Sequence, residues 1–115
     1  MNQSQFISAI KIAVAESTQK SMASVLKQPP GRQPYKDDAE LSNWYNNLPE
    51  ADKSMVLKVV EKTVEMNVFG FLCVLDGVRA IEDGRNKGKL NLYYNKGDMT
   101  VHLNSPNEEF LHDLW

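Results

Sequence analysis

Between Val68 and Leu75, seven of the eight positions are apolar (VFGFLCVL), and the run closes on Asp76-Gly77. Such a stretch has to be enclosed, and it is too short to cross a bilayer, which takes roughly 20 residues. It is therefore a buried strand or a buried helix, and periodicity over eight residues does not separate the two. Val56, Val60, Val64, Val68, Phe71 and Leu75 keep helical phase through the junction, while Phe69, Leu72 and Cys73 turn the opposite side apolar. A helix apolar all round is one that has entered the middle of a fold. The favoured reading is a central, buried helix from Val68 to Asp76 with Gly77 as its left-handed terminator; a covered central strand is the alternative.

Upstream, Phe6, Ile7, Ile10, Ala13 and Val14 fall at helical spacing, and Ser17, Ser21 and Val25 continue that face. One helix over residues 3–27 is about 37 Å long, more than a chain of 115 residues can cover. Its second half bends, stands in solvent or meets another chain. A proline-rich strap follows at 28–36, where Pro29, Pro30 and Pro34 forbid helix. Asp37 with Glu40 reads as a capping box, and Leu41, Trp44, Tyr45 and Leu48 form one buried stripe. Pro49 reads as the first position of the next helix. Met55, Val56, Val59, Val60, Thr63 and Val64 face inward there, and Lys58, Glu61, Lys62 and Glu65 form a solvated face.

After Val78 the texture changes to period two, punctuated by Gly84, Gly88 and Gly97. Leu90–Tyr94 and Met99–Leu103 pair as an antiparallel hairpin with Tyr94 facing Met99, Leu92 facing Val101 and Leu90 facing Leu103. A strand at Val78–Glu82 completes a meander. Ser105-Pro106-Asn107-Glu108 opens a short C-terminal helix docked by Phe110, Leu111, Leu114 and Trp115. The fold class is α+β: three to four N-terminal helices, one of them central and buried, on a small antiparallel β-meander or hairpin. The chain reads as a single domain, 1–115, with its helical core and meander in 37–115.

The 13 basic and 15 acidic residues give a net charge of -2, without the clustered basic excess of a nucleic-acid binder. Arg85, Lys87 and Lys89 make a small basic patch in a turn. Cys73 is the only cysteine, which excludes an intrachain disulfide and favours a reducing compartment. With no secretory-type leader and no spanning run, the expectation is a soluble, cytoplasmic protein that binds neither membrane nor nucleic acid.

Chemistry-bearing motifs fail one by one. "GRNKGK" has three residues between its glycines where a phosphate loop has four, and Leu90 stands where Ser or Thr would ligate magnesium. An EF-hand starting at Asp83 would place Arg85, Lys87 and Tyr94 at ligand positions. No HxxxH or CxxC pair exists for zinc, so a metal would need His112-Asp113 brought to Asp76 or Asp83. No GxSxG elbow is present. Hence no catalytic residue, metal site or cofactor is assigned. Asp76, at the lip of the apolar run, and Arg79 read as a pair that satisfies the backbone around Gly77. Beside Trp44 they are also the candidate ligand-binding residues, in a pocket between the central helix and the sheet.

Subtraction of chemistry, the over-long first helix and the strap together point to a non-enzymatic protein–protein interaction module. It recognises a protein partner or self-associates, as a homodimer, through the N-terminal helix. The alternative is a small-molecule-binding protein or small enzyme with its pocket near Asp76 and Arg79. In general build, though in no motif, the chain is similar to small bacterial α+β proteins, toxin-immunity proteins among them.

Overall fold

Asn2 opens the first helix with a reciprocal cap: its side chain accepts from the Gln5 amide (2.9 Å) while its own amide donates to Gln5 Oε1 (2.9 Å). In the computed structural model, which describes residues 1–115, α1 (Gln3–Ile10) continues through a π-helical segment, Lys11–Glu16, into α2 (Ser17–Lys27). Helix α3 (Lys36–Asn46), helix α4 (Glu50–Leu75), strands β1 (Tyr93–Lys96) and β2 (Met99–His102), and a 3-10 turn (Leu111–Leu114) complete the order. The architecture is the expected α+β. No helix is long and apolar enough to cross a membrane. The chain divides into two compact units, one of residues 1–12 with 66–115 and one of residues 13–65.

The expected continuous helix over 3–27 is present, but past residue 13, in the second unit, its inner face is not where an uninterrupted 3.6-residue period puts it. Ala15 is buried within the π segment, and the half-buried or buried positions after it are Gln19, Met22, Ala23, Val25 and Leu26, whereas Val14, Ser17 and Ser21 of the expected face are exposed. A π turn bonds i to i+5 and takes up one additional residue, which shifts the phase of the face downstream. Helix α3 is rotated as well. No side chain caps it, Tyr35 being the residue before its first turn, so the Asp37–Glu40 capping box does not form. Its buried positions are Ser42 and Tyr45, whereas Leu41 and Trp44 stand outside. The cause is polar. Asn46 Nδ2 donates to the Lys27 carbonyl (3.0 Å) and the Leu26 carbonyl (3.4 Å), and Ser42 Oγ to the Lys27 carbonyl (3.4 Å). These are the orphan acceptors at the end of α2, and satisfying them outweighs burying the indole.

Helix α4 settles the opening ambiguity in favour of helix. The Pro49 carbonyl accepts the Asp52 and Lys53 amides (3.0 Å each), so proline sits one residue before its expected position. Glu50 and Asp52 occupy the first turn, where the macrodipole favours acids. The helix ends in a Schellman motif: Val78 N–H reaches the Cys73 carbonyl (3.0 Å) and Gly77 N–H the Val74 carbonyl (3.1 Å). Gly77 has φ 77° as expected, and a Cβ there would strike nothing within 4 Å. Gly77→Ala is therefore expected to cost only the left-handed backbone penalty, about 1–2 kcal/mol, read as a shifted urea midpoint with an unchanged slope. The enclosure of α4 is partial. Gly70, Leu72 and Cys73 are buried, but Phe69 and Phe71 are exposed, as are Met55 and Val59 of the expected inner face.

The core of the first unit is Ile7, Leu72 and Leu111, ringed by Phe6, Val68, Leu75, Leu92, Leu114 and Trp115. Gln3 ties α1 to the C-terminal segment by donating to the Leu103 (2.7 Å) and Glu109 (2.8 Å) carbonyls. The hairpin forms with Tyr94 opposite Val101 and Lys96 opposite Met99, two residues from the expected register. Gly97 (φ 57°) and Asp98, with no positive φ, make a two-residue connection of type II′. That turn matches strand twist and recruits Asn95 and Lys96 into the ladder. A slip of two preserves the face, so Leu92, Tyr94, Val101 and Leu103 still point inward.

Two further expectations are corrected. Val78–Glu82 is not a strand, because the Val78 and Arg79 amides are both spent on the Cys73 carbonyl and Val78 and Ile81 have no face to bury. The C-terminal helix is shorter than expected: Ser105–Glu108 is an isolated turn, with the Glu108 amide on the Ser105 carbonyl (3.1 Å), and only Leu111–Leu114 is helical, as a 3-10 turn.

Candidate functional site

At the C-terminus of α4, Asp76 is anchored by backbone. Its Oδ1 accepts the Leu111 amide (3.0 Å) and its Oδ2 the His112 amide (2.9 Å), with His112 Nδ1 at 2.7 Å. The carboxylate is thus the cap of the 3-10 turn, supplied from 35 residues away. His112 is held on every side. Its ring lies parallel to Phe110 (5.3 Å between centroids) and edge-on to Phe69 (5.7 Å), and Nε2 is 3.4 Å from Asp113 Oδ1. The sequence-level idea of His112-Asp113 meeting Asp76 is realised in space. The two carboxylates flank opposite nitrogens of one imidazole, however, and no three His, Cys, Asp or Glu side chains are placed to hold a metal ion. No serine, threonine or cysteine side chain hydrogen-bonds to this array, so it contains a histidine held by an acid without a nucleophile.

Arg79 does not pair with Asp76. It takes part in none of the ion pairs of the structure. Its guanidinium instead lies across α4 at Gly70: a Cβ on that glycine would collide with Nη1 and stand 3.3 Å from Cζ. Beside it opens a concavity of about 650 Å³ whose lining includes Asp76, Arg79, Glu82, Lys87, Lys89 and Asn104. Asn104 is buried and spends its amide on the backbone: Nδ2 donates to the Leu75 (2.6 Å) and Leu90 (2.9 Å) carbonyls, and Oδ1 accepts the Leu92 amide (2.8 Å). Glu82 Oε1 accepts the Gly88 amide, closing the 82–88 loop around the rim.

Of the three candidate ligand residues, the structure brings Asp76 and Arg79 to the concavity. Trp44 belongs to the other unit and is half exposed on α3. Asn104 and the lysines of the rim were missed as members. Asn104 follows a period-two strand and carries no sequence signal of its role. Lys87 and Lys89 were visible as a basic patch, and only the path of the loop places them beside Arg79. Compared with family models, with curated proteins and with solved structures, the chain matches none of them.

Proposed function

We propose that the protein is a non-catalytic interaction module that pairs with a second copy of itself through an apolar seam on α4. One observation carries this reading. Met55, Val59, Met66 and Phe69 are 56%, 62%, 64% and 40% exposed, and they recur along one helix at the alternating four- and three-residue steps of a coiled-coil seam, with Lys62 in the intervening place. A monomeric surface scatters its apolar side chains singly; a row at regular seam spacing marks an interaction face. Charges flanking the seam favour the antiparallel arrangement. With Met55 of one copy against Met66 of the other, Lys58 of each falls opposite Glu65 of the other. The sequence-level placement of self-association on the N-terminal helix retains support from Ile12 and Val14, which are exposed in the π segment. The α4 seam is longer and regular, and it is the primary surface of this proposal.

Light scattering on size-separated protein tests it. The wild type is expected at twice the chain mass at micromolar concentration. Val59→Glu with Met66→Glu, which would bury two carboxylates per chain, is expected to raise the dissociation constant at least ~100-fold while leaving the far-UV helix signal unchanged. Lys58→Glu should weaken the pair and Lys58→Glu with Glu65→Lys restore it. A wild type that stays monomeric at 100 µM sinks the proposal.

A further inference from the structure

We infer that the concavity beside the end of α4 is a binding site for a small organic anion with an apolar body. Three cations line it, Arg79, Lys87 and Lys89, against the carboxylates of Glu82 and Asp76. Asp76 is withdrawn from ligand contact, because both of its oxygens are occupied by the Leu111 and His112 amides and the His112 ring. Glu82 is turned to the Gly88 amide. The three cations have no ion-pair partner anywhere in the chain, and they stand together in a protein whose net charge is -2. That local inversion of sign is the feature an anion would read.

Arg79 is also positioned rather than loose. Glycine in a helix interior costs about 1 kcal/mol relative to alanine, and Gly70 is buried in the apolar part of α4. Its missing Cβ is the space in which the guanidinium lies. The guanidinium is thereby seated against the helix at Gly70 with its donors free of carboxylates, and such a fork suits a carboxylate or phosphate oxygen pair.

The apolar walls include Val74, Val78, Ile81, Leu90 and Phe110, and four of these, Val78, Ile81, Leu90 and Phe110, are large apolar side chains left exposed. A volume of about 650 Å³ lies within the 300–1,000 Å³ of small-molecule sites, which combine apolar walls with a few placed polar groups. A bare inorganic anion would leave those walls wet, and a neutral apolar molecule would leave the cations unused. An aryl or medium-chain carboxylate satisfies both. The site lies outside the Met55–Phe69 seam, so it stands or falls independently of self-association.

Titrations of 15N-labelled protein with 4-phenylbutyrate, its neutral isostere 4-phenylbutanamide, and inorganic phosphate test the inference. Phenylbutyrate is expected to give saturable shifts at the amides of residues 76–90. The amide and phosphate should each bind at least tenfold more weakly, and raising the salt from 0.05 to 0.5 M should weaken the carboxylate alone. Arg79→Met should weaken phenylbutyrate about tenfold and leave the amide unchanged. Gly70→Ala, a substitution that favours the helix itself, should do the same by displacing the guanidinium. No saturable shift at residues 76–90, equal binding of acid and amide, equal binding of phosphate, or an Arg79→Met protein that binds phenylbutyrate as the wild type does would each overturn it.

Discussion

Asp76→Ala is expected to lower the free energy of unfolding by about 3–5 kcal/mol, the loss typical of breaking a buried charged interaction from one side. The side chain is 1% exposed and faces two backbone amides and one imidazole nitrogen. Alanine leaves all three groups facing a space without an acceptor, and each unsatisfied buried donor costs about 1–3 kcal/mol. Since a domain has only about 5–15 kcal/mol in total, the 3-10 turn should detach and take Leu111, a core residue, with it. Asp76→Asn separates geometry from charge: it keeps one acceptor oxygen but turns an NH2 group toward a donor, and about 1–3 kcal/mol should be lost. Urea unfolding measures both, and hydrogen exchange at the Leu111 and His112 amides locates the effect. A loss below 1 kcal/mol for the alanine variant would show that the carboxylate does not hold the C-terminus.

Asn104→Ala comes second, at about 3 kcal/mol. Three backbone groups from different segments converge on this amide: the Leu75 carbonyl at the end of α4, the Leu90 carbonyl, and the Leu92 amide leading into β1. A two-stranded hairpin is marginal by itself, and this side chain joins it to the helix. Truncation orphans one donor and two acceptors at once, each worth roughly 1 kcal/mol or more. Asn104→Asp should be worse, because it replaces the two donated bonds by a carboxylate facing two carbonyl oxygens. The stacked Tyr93 and His102 rings, 4.5 Å apart, supply a local probe: their ring-current shifts should collapse in both variants at urea concentrations where the wild type is intact. Loss of less than 1 kcal/mol, or a hairpin that melts with the rest of the chain in both variants, would contradict this role.

The helices were legible because their signals are local. Phase continuity from Val56 to Leu75 favoured helix over strand, and Asp76-Gly77 marked the stop to within one residue. The hairpin and its inward face were also legible, since alternation survives a two-residue slip even when register does not. The register itself depended on whether Gly97-Asp98 or Asn95–Asp98 forms the loop, and one glycine at φ 57° decided it. The rotation of α3 was not legible. Hydropathy ranks Trp44 above Ser42, but the unsatisfied carbonyls that pull Ser42 and Asn46 inward belong to α2. The same is true of the site: Asp76 was read as a carboxylate serving the backbone around Gly77 and pairing with Arg79, whereas it serves the amides of Leu111 and His112 and faces the His112 ring.

What the amino-acid order determined by itself is the three long helical segments, the hairpin, and which side of its strands is apolar, because these follow from propensity and period within a few residues. Where an apolar face would find no cover was a tertiary outcome. The run VFGFLCVL favoured helix by its phase with the residues before it, yet whether Phe69 and Phe71 were enclosed depended on how much chain was left to lie over them. Likewise only the folded chain could set Asp76 against the amides of 111 and 112 and lay Arg79 across Gly70. Those contacts join positions far apart in sequence, or on different sides of a turn, and no local preference encodes them.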